Sequence, residues 1–284
     1  MRLALHWRSL KPDDLDLEVL LDVASGAGFV GVQASGPQIE RFVHRRPNSR
    51  LVRAIAAAGL CQTATWLGCD AEAPEAEFLA ATARLDHFVH RARAMANFGV
   101  GQAAVAIRAP ARAPADAPEA LGRLRRLAAL LRPAGLDLLL DPADPRPGAP
   151  QARRPPTEEA QAAEQERAVA WASAAGPGVG LVVDLWRWSR LRTPEADLAP
   201  FRGVPLLGRL ADAPSPLPEP PAEVPRLVPG RGGADLVTPL RRFRALGYDG
   251  YWEVEAPLAG RDVEAQAARC RRAGAHVLEA AVRP

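Results

Sequence analysis

Short apolar runs alternate with longer stretches of helical period along the whole chain. The runs predict strands at Arg2–Trp7, Phe29–Ala34, Cys61–Trp66, Ala103–Arg108, Leu136–Asp141, Val179–Leu185, Val204–Asp212 and Gly250–Glu255. Between them LDLEVLLDVASGAG, SRLVRAIAAAGL, AEFLAATARLDHFVHRARAMANFG, PEALGRLRRLAALLRPAG, TEEAQAAEQERAVAWASAAG, LVTPLRRFRALG and VEAQAARCRRAGAHVLEAAV read as helices. Several close on glycine, the residue favoured just past a helix end, and a strand follows directly. Eight strand–helix units in 284 residues predict an α/β chain folded as a single (β/α)8 TIM barrel over residues 1–284. The sixth helix, TPEADLAPFRG, is the shortest unit. A doubly wound open sheet is the competing architecture, but it has no use for an eighth strand and usually opens on a glycine-rich turn that is missing here. Two proline-rich stretches, 142–156 and 212–228, follow strands five and seven. The strand–helix rhythm resumes after each, so both read as loops on the binding face and not as linkers.

The period of two along a strand then sorts its side chains. In a barrel the outward set packs on helices and is apolar, while inward residues at the carboxyl end meet the site. By that rule Leu3 and Leu5 face out and His6 faces in; Leu138 and Leu140 face out and Asp141 in. Likewise Leu181, Val183 and Leu185 turn Asp184 inward, Leu206 and Leu210 turn Arg209 inward, and Trp252 and Val254 turn Glu253 and Glu255 inward. Strands two and four offer Gln33 and Arg108, and strand three leaves Trp66 near its end without a clear facing. Any one of these is explained as a solvated strand end or a structural ion pair. Asp141, Asp184, Arg209 and Glu255 together point to a site, because charges converging in a barrel mouth are costly to leave unmatched.

Composition narrows the function classes. The chain has 36 basic and 33 acidic residues, a net charge of +3, and a single lysine, Lys11. The arginines are scattered among acids and form no stripe or tail, which argues against a nucleic-acid partner. Cys61, Cys69 and Cys270 have no C-x-x-C spacing, so neither a zinc cluster nor a disulfide framework is expected, and a reducing cytoplasm fits. The opening MRLALHWRSLKPDD lacks the apolar core of a signal peptide, and no run approaches the length that crosses a bilayer. The expectation is a soluble cytoplasmic protein with a small-molecule substrate and no membrane partner; self-association as a homo-oligomer is left open.

The segment PRLVPGRGGADLVTPLRRFRALGYDGYWEVEAP resembles the R-x-x-PG-x-G … GYDG-x-x-x-VE ending of the sugar phosphate isomerase/epimerase family, the xylose-isomerase-like barrels. VGLVVDLWRWSR is similar to that family's D-x-x-H strand, GRLADAP to its H-x-x-D strand, and the early AGF-x-GVQ step also fits. The resemblance spans the chain and is specific in its last third. It implies a divalent metal held by a Glu after strand five, an Asp after strand six, a His after strand seven and a Glu on strand eight. Carried over, these positions are Asp141, Asp184, Arg209 and Glu255, and the substrate-side His of D-x-x-H falls at Arg187.

The two histidine positions that have become arginine change the chemistry. A guanidinium offers only donors and cannot ligate a cation. Asp141, Asp184 and Glu255 alone make an oxygen set for Mg, Mn, Zn or Co. Arg108, Arg187 and Arg209 offset those acids in charge, which favours a barrel with no metal cofactor. The resemblance implies removal of a proton beside a carbonyl by a carboxylate. Glu255 and Asp184 are the candidate bases, and Arg209 and Arg187 the candidate electrophiles or substrate clamps. His6, Trp66, Arg108, Trp186, Trp188, Arg226 and Glu253 are candidate substrate contacts, though His6 and the two tryptophans of DLWRWSR are equally explained by packing. The turn Gly230-Arg231-Gly232-Gly233 offers backbone amides to an anion or is simply a flexible turn. His87 and His90, and Lys11, read as solvated. Three readings follow: an isomerase, epimerase or dehydratase acting on a small polyhydroxylated or carboxylated substrate; an inactive ligand- or partner-binding barrel; or a lyase or cyclase of specialised metabolism. A nuclease built on a histidine-rich trinuclear zinc site is a poor reading, with only five histidines and none at the right strand ends.

Overall fold

The computed structural model describes residues 1–10, 15–45, 48–80, 82–83, 102–142, 158–188, 201–215, 225–258, 260 and 262–283. Eight parallel strands close into a barrel in the order β1-β2-β3-β4-β5-β6-β7-β8, with β1 paired to β8. They are β1 Arg2–His6, β2 Gly31–Gln33, β3 Cys61–Asp70, β4 Gln102–Arg108, β5 Asp137–Asp141, β6 Val179–Asp184, β7 Leu206–Leu210 and β8 Tyr251–Val254. Every one coincides with an apolar run read from sequence. The largest departure is β3, which runs on to Asp70 opposite Arg108 after a register shift beyond Trp66.

The helices described are α1 Leu17–Gly26, α2 Gly36–Arg45, α3 Asn48–Ala57, α4 Pro118–Leu131, α5 Glu158–Ala175, α6 Leu185–Trp188, α7 Val237–Ala245 and α8 Val263–Val282. Helix α2 is an addition to the expected series, a short helix that buries Ile39 and Phe42. Directly after β6 stands only the single turn of α6; most of the expected sixth helix lies in 189–200, outside the described residues. Lys11, His87, His90 and most of both proline-rich loops also lie outside them. Among the described residues no helix is long and apolar enough to cross a membrane.

The alternation along the strands creates two cores. The outward set, including Leu3, Leu5, Val105, Ile107, Leu138, Leu140, Leu181, Val183, Trp252 and Val254, merges with the helices into one large apolar layer. Inside the barrel Ala64, Ala104, Ala106, Leu139, Val182 and Leu207 form a small plug, with Trp66 and Tyr251 packed against it. Filling the middle with side chains leaves no pore, so what projects above the plug is displayed at the carboxyl end. One close approach fixes β7 on β8. A Cβ at Gly208 would fall 2.1 Å from Cε3 of Trp252, so the wide indole on the outer face requires a glycine beside it.

Candidate active site at the carboxyl end of the barrel

Above the plug the inward residues at the ends of β4 to β8 are charged, and the end of β1 adds His6. Asp141, Asp184, Arg209, Glu253 and Glu255 are all buried and share one enclosed layer. Arg209, the inward residue of β7, sits at its centre. Its Nη1 donates to Asp141 Oδ2 at 2.6 Å, and its Nε lies 3.7 Å from Glu253 Oε2 and 3.6 Å from Glu255 Oε2. Burial alone would favour the neutral form, but Asp141, Glu255, Glu253 and Asp184 outweigh it and hold the guanidinium firmly protonated. One fixed cation therefore serves three carboxylates.

Arg226 closes the other side. It reaches from the turn after β7 and grips Asp184 with both arms, Nη1 on Oδ1 at 3.2 Å and Nη2 on Oδ2. Its Nη1 lies 3.7 Å from Glu255 Oε2, and its guanidinium lies over the Trp186 ring at 4.6 Å from the centroid. The Trp186 amide N–H donates to Asp184 Oδ1 at 3.1 Å, so α6 begins on that carboxylate. Arg187 stands 3.8 Å from Asp184 Oδ2 and 3.7 Å from Glu164 Oε2. A cleft beside it is lined by Pro142, Gln165, Ala168, Asp184, Arg187 and Phe201.

Glu255 has three arginines around it: Arg8 at 3.4 Å from Oε1, with Arg209 and Arg226 at Oε2. Burial pushes this carboxyl up, but Arg226 above all, with Arg209 and Arg8, holds it well below the ordinary glutamate range. Glu253, one pleat deeper, behaves oppositely. Burial raises it, and Glu255 and Asp141 add repulsion against the help of Arg209 and Thr63, so its pKa stands at about 7. The Thr63 hydroxyl donates to Glu253 Oε1. His6 is pushed down to about 3, chiefly by burial, with Arg209, Arg8 and Arg226 adding to the effect against Glu255. It is a neutral imidazole whose Nδ1 accepts the Arg8 amide N–H at 3.2 Å, leaving Nε2 to carry the proton.

Of the residues singled out from sequence, Asp141, Asp184, Arg187, Arg209, Arg226, Glu253, Glu255, His6 and Trp186 come together here. Trp66, whose facing the pattern did not decide, turns into the barrel and packs on the interior plug. Arg108 sits at the rim, 4.0 Å from Asp70. Trp188 is a correction: it is a core residue, with ring contacts to Phe201 at 5.8 Å and Phe243 at 5.2 Å, because the helical turn of α6 swings it away from Trp186. The glycine turn is not an open anion cradle either. Gly232 and Ala234 amides are given to the buried Asp212 carboxylate at 2.9 and 3.1 Å, and a Cβ at Gly232 would lie 2.0 Å from Ala213 O. Sequence reasoning missed Arg8 and Thr63. Arg8 lies beyond the end of β1 in a 3-10 turn, Trp7–Ser9, where strand alternation no longer applies.

The residues at the family's metal positions do not fit a divalent cation. The strand-seven position offers only N–H donors, Asp141 is committed to Arg209, and both oxygens of Asp184 are committed to Arg226. Among the described residues no three His, Cys, Asp or Glu side chains converge as a metal-binding group.

A xylose isomerase domain protein from Alicyclobacillus acidocaldarius superposes with a TM-score of 0.74 at 24% identity, covering 99% of both chains. The IolI protein, solved with a bound zinc atom, gives 0.73 at 14% identity, covering 98% of each. The probable 3-DHS dehydratase AsbF of petrobactin synthesis from Bacillus anthracis gives 0.67 at 13%, covering 96% of this chain and 98% of that one. The chain has the xylose-isomerase-like TIM-barrel fold. No protein-family model matches it, and no curated protein sequence gives a significant match.

Proposed function

We propose that this xylose-isomerase-like barrel catalyses proton transfer beside a carbonyl on a small polyhydroxylated or carboxylated substrate, as an isomerase, epimerase or dehydratase, and does so without a metal. The observation that carries the reading is the position of Arg209, a permanent buried cation at the strand-seven site, paired to Asp141 and facing Glu253 and Glu255. The presence of a dehydratase among proteins of the same fold supports the reaction class.

Glu255 is the base in this scheme. The C–H bond beside the substrate carbonyl breaks, the proton passes to the Glu255 carboxylate, and the electron pair moves into the carbonyl to give an enediolate oxyanion. Arg209 and Arg226 supply fixed positive charge to that oxyanion, held in place by Asp141 and Asp184. Return of the proton to the former carbonyl carbon, with the hydroxyl proton passing to the former carbonyl oxygen, isomerises. A proton taken from solvent on the opposite face epimerises, Glu255 giving its own back to water. Transfer of the Glu255 proton to a departing β-hydroxyl, lost as water, dehydrates. Three arginines make free Glu255 a weak base. Substrate oxygens that draw Arg8 and Arg226 onto themselves strip it of counter-charge and raise its basicity toward the working pH.

The test is deuterium exchange followed by proton NMR in D2O, on a panel of ketoses and hydroxy-keto acids, with and without EDTA. The reading predicts exchange at the carbon beside the carbonyl, insensitive to EDTA, and slowed on the order of a hundredfold or more in Glu255→Gln. Exchange abolished by EDTA and restored by manganese would overturn it, as would exchange that Glu255→Gln leaves intact.

A further inference from the structure

The charges of the mouth are sorted by depth. The acidic side chains are sunk, Asp184 and Glu255 at 3% exposure, Asp141 at 1% and Glu253 at 0%. Three arginines stand above them, Arg8 at 31%, Arg187 at 27% and Arg226 at 17%. They come from three separate elements: the 3-10 turn after β1, helix α6, and the turn after β7. An approaching molecule therefore meets these arginines before it meets the four sunken acids, in a recess whose low-dielectric walls strengthen their field. Glu164, itself 33% exposed, stands beside Arg187.

Two of the three are held ready. Arg8 lies 5.2 Å from the Trp7 ring centroid and Arg226 4.6 Å from that of Trp186, so each is steadied on an indole face. They approach Glu255 from its two sides, Arg8 at Oε1 and Arg226 at Oε2. Among the described residues Glu255 Oε2 and Arg187 Nε are buried and make no hydrogen bond, only longer ion-pair contacts: Oε2 at 3.6 and 3.7 Å from Arg209 and Arg226, and Nε at 3.8 Å from Asp184.

We infer that the mouth recognises a small organic anion, a carboxylate or a phosphate ester, through Arg8, Arg187 and Arg226, with Arg8 as the residue that separates charged ligands from neutral polyols; this rests on the reading of the mouth as the substrate site. The anion takes up Nη donors that now lean on Glu255 and brings an acceptor within reach of Arg187 Nε. A neutral sugar offers hydroxyls but no charge to replace what Glu255 gives up. Guanidinium groups pair with carboxylate and phosphate oxygens in the same two-pronged way, so both sources fit the chemistry.

Isothermal titration of the full chain with glycerate, glycerol 3-phosphate and glycerol tests this and tells the two sources apart. At least one anion is expected to bind, more weakly as salt is added, and glycerol at least about tenfold less tightly. Arg8→Ala, and Arg8→Gln with its longer side chain retained, are expected to lose about tenfold in affinity for the anion, the scale of one hydrogen bond between charged groups. Arg125→Ala, an exposed arginine on α4 whose guanidinium bonds the Ala174 carbonyl, should change nothing. Glycerol binding as tightly as the anions, no anion binding, or unchanged affinity in both Arg8 variants would each overturn the inference. Anion binding of this kind with no deuterium exchange on any substrate would sink only the proton-transfer reading, whereas exchange confined to neutral ketoses with no anion bound would sink only this one.

Discussion

Glu253 lies deepest in the charged layer, fully enclosed, with the Thr63 hydroxyl on one oxygen and Arg209 Nε 3.7 Å from the other. Its pKa of about 7 against 4.5 for an unburied glutamate has a consequence for stability. Between those values the folded protein keeps a proton that the unfolded chain has released. Stability therefore falls as pH rises from about 4.5 to about 7 and stays reduced above that window. Glu253→Gln removes the effect, so urea unfolding at pH 5 and pH 8 should show the variant gaining on wild type by on the order of 2 kcal/mol at the higher pH. An unchanged difference at the two pH values would refute the assignment. Arg209→His is expected to act differently, returning an imidazole to the strand-seven position and removing the cation that serves Asp141, Glu253 and Glu255. Manganese binding followed by EPR should appear in that variant. The residues of this layer were legible because each occupies an inward place on a strand whose apolar neighbours are unmistakable. Arg8 was not, because a 3-10 turn has no such alternation to expose it.

At the scale of elements, alternation fails within β3, and that failure explains the other omission. Thr63 bonds to Glu253, while the next residue, Ala64, packs in the interior plug with Ala104 and Ala106. Consecutive residues both meet interior groups, so a strict period of two assigns one of them to the wrong face. Helix α2 was not among the expected elements, although Ile39 and Phe42 stand three apart, a helical spacing, and both are buried. The turn after β7 shows the reverse, a glycine motif suggestive of an anion site whose amides are spent on Asp212. Asp212→Asn replaces one of its acceptor oxygens with a donor and leaves a turn amide facing it. The expected cost is about 1–3 kcal/mol in denaturant unfolding, with a further loss of ligand affinity through Arg226, which that turn carries. On β7, Gly208→Ala should cost about 2–3 kcal/mol because the new methyl has no space beside Trp252. A wild-type melting curve for either variant would contradict these packing arguments.

For the whole molecule, the barrel was readable as eight repeats of strand and helix, and the outer apolar layer and inner plug follow from the same alternation. The ring of inward charges was readable too, but its internal pairing was not. Sequence gives the number of acids and arginines at the strand ends, whereas only the closed barrel decides that Arg209 serves Asp141 and that Arg226 takes both oxygens of Asp184. Those pairings support the proposal that arginine supplies positive charge at the strand-end positions where the family resemblance implies a metal. The most direct test is elemental analysis of protein purified without chelator or nickel affinity, repeated on Asp184→Ala. The account predicts no stoichiometric manganese, magnesium, zinc or cobalt in either protein. Near-stoichiometric metal in the wild type that vanishes in Asp184→Ala would contradict it.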